Sequence, residues 1–132
     1  MIMSDKVRTT KFDIGERTIT YSLRIIKLYR EVRKDCVGAI LARQLLRSGT
    51  SIGANVHEAQ GGQSKADFVP KISIAHKETR ESAYWLRLIE RAEIIRGKRL
   101  SSLSDETDQL IKILSSILLT AKQRKESKDR KR

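Results

Sequence analysis

The sequence predicts an all-α protein folded as an up-down antiparallel four-helix bundle, and three observations lead there. Apolar residues recur at three- and four-residue spacing through almost the whole chain. A single proline, Pro70, occurs in 132 residues, and no stretch shows the β-branched alternation and turn chemistry that strands require. Four apolar-striped segments of helical length are separated by short breaks, and antiparallel packing is the simplest way to bury their stripes.

The first segment opens at Asp13 with Glu16 three residues on, the spacing of a capping box. Ile19, Leu23 and Ile26 follow as its apolar stripe, flanked by Ile25, Leu28, Tyr29 and Val32, so a helix is expected over about 14–33. After a break around Lys34 to Val37, a second stripe of Leu41, Leu45, Ser48, Ile52, Val56 and Ala59 ends at Gly61-Gly62. Ala42, Leu46, Gly49 and Gly53 form another face of this helix, turned by about 100° from the first. Small residues there let a second backbone approach closely, so two packing faces are expected, the second one for an oligomer contact.

Ser64 and Asp67 have the spacing of a further capping box and start a long third helix. Its core face is Phe68, Ile72, Ala75, Thr79, Ser82, Leu86 and Ile89, with Pro70 near the start where it is tolerated. Trp85 lies about 90° from that face, beside Tyr84, and is expected to cover the bundle edge or a subunit interface. A connection centred on Arg96-Gly97-Lys98 leads to Ser104, read as an N-cap. Leu110, Leu114, Ile117 and Ala121, with Ile111, Ile113 and Leu118 beside them, then make the fourth helix. The expected division is a bundle over residues 1–121 and a basic, disordered tail over 122–132, which has seven basic, two acidic and no apolar residues.

The length suits one domain with one core. Twenty-eight Lys and Arg against 16 Asp and Glu give a formal net charge of +12, which calls for an anionic partner, RNA or DNA foremost. The lone cysteine, Cys36, supports no disulfide framework or thiolate zinc site and points to a reducing cytoplasm. The first residues lack an apolar run of signal-peptide length, and no later stretch approaches a membrane span, so no membrane partner is expected.

No constellation carries catalysis. Gly49-Thr50-Ser51-Ile52-Gly53 matches the G-x-S-x-G string of a nucleophile elbow, which needs a sharp turn between strand and helix, whereas here it falls in a helical pattern. Di-iron bundles need Glu three residues before each histidine, but Ala54 precedes His57 and Ser73 precedes His76. Glu78 and Glu81, one turn apart, have Lys77 and Arg80 as ordinary ion-pair neighbours. No enzyme activity, metal or cofactor is expected, and neither histidine is assigned a role.

Binding residues are read from charge. Lys77, Arg80, Arg87 and Arg91 recur with Tyr84 along the face of the third helix opposite its apolar stripe, placed to follow a phosphate backbone. Glu81 and Glu90 are the intrahelical carboxylates able to neutralise them. The tail adds Lys122, Arg124, Lys125, Lys128, Arg130, Lys131 and Arg132.

Residues 43–89 carry a resemblance. The run Arg47-Ser48-Gly49-Thr50-Ser51-Ile52-Gly53-Ala54-Asn55, the following Glu58-Ala59, and the pattern from Asp67-Phe68 through Lys77-Glu78 to Tyr84-Trp85-Leu86 resemble the four-helix-bundle family that includes the intervening-sequence proteins of bacterial large-subunit ribosomal RNA. His57 departs from the small residue common there, and the basic tail lies outside the shared pattern. The resemblance implies a ring-shaped homopentamer, encoded within or beside an inserted RNA element and binding nucleic acid. A related branch resembles the accessory variability determinant of diversity-generating retroelements, which implies a reverse transcriptase and its template RNA as alternative partners. The first expectation is therefore a non-enzymatic RNA-binding oligomer, and the second an adaptor for a polymerase.

Overall fold

A computed structural model describes residues 13–62 and 65–130. Its helices are α1 (Ile14–Val32), α2 (Cys36–Gly61), α3 (Phe68–Arg91) and α4 (Gly97–Arg130), with a short 3-10 turn at Lys65–Asp67 before α3. No strand occurs among the described residues.

Side-chain contacts fix the antiparallel order. Going up α1, Arg17 meets Glu106 and Gln109, Arg24 meets Ser102, and Glu31 meets Arg99, so α4 descends beside it. Between α2 and α3, Arg47 reaches Glu78, Ser48 meets Ser82, and Glu58 meets Lys71. His76 on α3 and Ser115 on α4 join the last pair.

Helix starts follow local chemistry. Asp13 caps α1, accepting the Glu16 N–H at 3.3 Å, and Asp35 caps α2, accepting the Gly38 N–H at 2.8 Å. Ser64 lies outside the described residues, while Asp67 occupies the N-cap of α3 without a side-chain cap bond. Pro70 falls in the first turn of α3, where its missing N–H has no intrahelical acceptor to lose.

The core stripe of α1 is not the expected one. Ile14, Thr18, Tyr21, Ile25, Leu28 and Val32 are buried, whereas Ile19 and Leu23 are 41% and 61% exposed. Apolar counting failed because Thr18 and Tyr21 take core positions and satisfy their hydroxyls there. Thr18 donates to the Gly15 carbonyl at 2.8 Å, and Tyr21 meets Thr107 at 2.8 Å. The faces read for α2 and α3 are the buried ones, with Leu41 and Phe68 half-buried at their ends.

At mid-height the bundle buries one hydroxyl from each helix. Thr107 donates to the Leu103 carbonyl, which leaves Tyr21 as donor to Thr107, and Ser82 donates to the Glu78 carbonyl, which leaves Ser48 as donor to Ser82. Every hydroxyl in this layer is thereby partnered, as a buried polar group must be. Burial pushes the Tyr21 phenol up to about 12, with the Thr107 and Ser82 hydroxyls pulling the other way.

α4 differs from expectation at both ends. It begins at Gly97 rather than at Ser104, because Leu100 and Leu103 extend the buried stripe of Thr107, Leu110 and Leu114 back by two turns. It also continues through the expected disordered tail as far as Arg130. Lys, Arg, Gln and Glu are good helix formers, and neither glycine nor proline intervenes to stop them. Residues 122–130 are exposed throughout and add about 13 Å of helix without joining the core. Lys131 and Arg132 lie outside the described residues.

Candidate nucleic-acid interface

The cationic stripe of α3 is built by the same periodicity that buries its opposite face. Lys77, Arg80, Tyr84, Arg87 and Arg91 are all exposed, one turn apart along the helix. Of the two carboxylates expected to neutralise them, Glu81 is used elsewhere, while Glu90 makes no hydrogen bond or ion pair to them. Arg47 crosses from α2 and pairs with both Glu78, at 3.3 Å, and Glu81. Glu81 also accepts the Trp85 Nε1–H at 3.0 Å, and its carboxyl is held below the ordinary value first by that bond and then by Arg47. Lys77 also acts on Glu81 through its charge, but neither it nor Arg80, Arg87 or Arg91 makes a hydrogen bond or close ion pair among the described residues. A pairing between helices decides this, and spacing along one helix cannot reveal it.

His76 belongs to this face. Its Nε2 lies 2.8 Å from Ser115 Oγ on α4, and its pKa is lowered first by burial and then by the neighbouring Arg80. The imidazole therefore favours its neutral form within a positive surround. The second histidine, His57, holds the Gly15 carbonyl at 3.1 Å and so ties α2 to the start of α1.

The exposed end of α4 carries Lys122, Arg124, Lys125, Lys128 and Arg130, with one intrahelical contact from Arg130 to Glu126 at 3.9 Å. These cations form a second basic surface at the end of α4.

The residues read as an oligomer face have another occupant. Ala42, Gly49 and Gly53 are buried inside the chain itself. A Cβ on Gly49 would come within 2.9 Å of Ile25, and one on Gly53 within 3.1 Å of Thr18, so the second backbone that these glycines admit is α1. Leu46 and Trp85 are half-buried against the same core. The two packing faces of α2 are thus filled by α1 and α3 of one chain. One apolar surface left open is a shallow groove between α1 and α2, lined by Ile19, Ser22, Leu23, Gly53, Ala54 and His57.

Ser51 lies within continuous helix and receives the Asn55 side-chain amide, without the turn that a nucleophile elbow needs. Among the described residues no group of three His, Cys, Asp or Glu side chains is placed to hold a metal ion, and no helix is long and apolar enough to cross a membrane.

The comparisons with known proteins agree with this architecture. No curated protein matches the chain. A solved structure does: a protein of unknown function from the S23 ribosomal protein family of Bacteroides thetaiotaomicron superposes with a TM-score of 0.75 at 38% identity, over 80% of this chain and 97% of that one. The family model described as 23S rRNA-intervening sequence protein matches residues 10–116, which takes in the α3 stripe and stops short of the basic end of α4. With that match across most of its length, the chain belongs to the 23S rRNA-intervening sequence protein family.

Proposed function

We propose that this protein is a non-enzymatic nucleic-acid-binding protein, that RNA is its polymer, and that it works as a homo-oligomer with five copies as the preferred count. The observation that carries the binding reading is the unpaired cationic stripe of α3. Four basic side chains stand exposed on one face while Glu78 and Glu81 beside them are engaged by Arg47 and Trp85. Such a surface attracts a polyanion and gains by releasing its counterions. The net charge of +12, the basic end of α4 and the ribosomal RNA association in the family's name support the same reading. Assembly is supported by the open groove between α1 and α2, whose lining is apolar at Ile19, Leu23 and Ala54.

The test is retention of labelled RNA over a salt series. Affinity should fall linearly on a log-log plot, with a slope of about −0.7 per neutralised phosphate on single strands. Deleting residues 122–132 should flatten the slope and weaken all sequences alike, because an exposed charged helix contacts phosphates rather than base edges. Replacing Arg80, Arg87 and Arg91 together should weaken what remains. Full-length, folded protein that retains neither RNA nor DNA at low salt overturns the reading.

A further inference from the structure

Tyr84 sits at the centre of the cationic stripe, and charge does not explain it. The residue is 55% exposed, in line with the exposed cations Lys77, Arg80, Arg87 and Arg91. Arg80 lies one turn before it and Arg87 one turn after, about 6 and 4.5 Å away along the helix axis. The ring is braced by a neighbour. Trp85 meets it edge-on, with centroids 5.1 Å apart and planes at 71°. Trp85 is fixed in turn, packed against the core and hydrogen-bonded through Nε1 to Glu81, which Arg47 holds from α2. One contact after another thus links the exposed ring to the neighbouring helix.

We propose that Tyr84 is a base-stacking platform and that the α3 face binds single-stranded nucleic acid in preference to duplex, with Arg80 and Arg87 holding the backbone on either side of the stacked base. The proposal rests on the nucleic-acid reading and narrows its ligand. An aromatic face offers stacking to any unpaired base, whatever its identity. In an A-form duplex the bases are already stacked and their edges lie in grooves, out of reach of a ring on a convex helix. A face built only for phosphates would leave the centre of the stripe to another lysine or arginine. Charge complementarity suits a polyanion, and the ring favours the unpaired form of that polyanion.

The test compares a 20-nucleotide single-stranded RNA of mixed sequence with the same sequence as a duplex, each over a salt series, on wild-type protein and on Tyr84→Ala, Tyr84→Trp and Arg80→Gln/Arg87→Gln variants. Wild-type protein should prefer the single strand. Tyr84→Ala should lose roughly 5- to 150-fold in single-strand affinity, the span for one base–aromatic stack, with little change on duplex and an unchanged salt slope. Tyr84→Trp should retain binding, and the arginine pair should reduce the salt slope on both ligands. Equal loss on single strand and duplex, or no loss on either, overturns the stacking role while leaving the nucleic-acid reading in place. Wild-type protein that retains neither ligand overturns the reading beneath it. Circular dichroism melts that match wild type keep a folding defect from standing in for either result.

Discussion

Tyr21 shows how a single residue can serve both packing and polarity. Its ring fills the core and its hydroxyl finds Thr107, so it occupies a position that apolar counting gives to its neighbours. Its pKa is raised to about 12 from an ordinary 10.0, so the folded protein holds the phenolic proton more tightly than the unfolded chain does. The stability this contributes is complete below pH 10 and is lost as pH rises from there toward 12. Tyr21→Phe should lower stability by about 1 kcal/mol near neutrality, the usual worth of one buried hydrogen bond. It should also show a smaller further loss than wild type between pH 10 and 12 in urea unfolding, and equal alkaline losses would contradict the assignment. Only half of this site was legible in the sequence. Serine and threonine on the core faces of α2 and α3 were read correctly from spacing, but Thr18, Tyr21 and Thr107 were not. Their burial depends on hydrogen bonds to other turns or other helices, which no periodicity reports.

The helices themselves were legible where one apolar stripe dominated, and less so at their ends. The end of α3 is instructive. Glu93 has φ 58°, the Glu93 N–H bonds to the Glu90 carbonyl at 3.0 Å, and the Ile94 N–H reaches back to Ile89 at 3.3 Å. This is a Schellman motif, with the half-buried Ile94 as its apolar partner and a glutamate where glycine is favoured. The left-handed conformation costs a non-glycine residue about 1–2 kcal/mol, part of which glycine gives back through its freer unfolded chain. Glu93→Gly should therefore stabilise the protein by roughly 0.5–1 kcal/mol and raise the melting temperature by a few degrees; a lower one would show that Glu93 makes a compensating contact. The sequence placed this turn near Arg96-Gly97 because glycine marks turns, yet Gly97 opens α4 instead. At the other end of α4, high charge argued for disorder while the side chains individually favour helix, and the second influence prevails as far as Arg130.

For the whole molecule, charge and surface apolarity are divided between faces. Some carboxylates are taken up on the seams between helices, where Glu106 meets Arg17, Glu31 meets Arg99 and Glu78 meets Arg47, and the cations on the outer face of α3 make no such ion pair. The sequence revealed the stripe but not its lack of partners, since Arg47 lies 31 residues from Glu78 in the chain. The inference of an oligomer from the small-residue face of α2 loses its basis, because α1 of the same chain fills that face. The exposed Ile19 and Leu23 now carry it. Light scattering at micromolar concentration should give a mass near five subunits, and Ile19→Glu/Leu23→Glu should reduce it to one while the helical signal persists. A monomer mass for the unaltered protein would refute assembly through this groove.

The extended end of α4 bears on how unevenly the molecule holds its shape. From Lys122 to Arg130 the helix has only its own backbone bonds and a loose Arg130–Glu126 contact, while the segment from Leu100 to Leu114 is locked into the core. Amide hydrogens along this one helix should therefore exchange with solvent on very different clocks, fast near Arg130 and slow near Leu110, where exposure requires opening the bundle. A short helix without tertiary support is marginal in water, and five cations within nine residues repel one another. A bound polyanion would quench that repulsion and slow exchange at the end of α4, so protection appearing there on complex formation would mark where the nucleic acid lies.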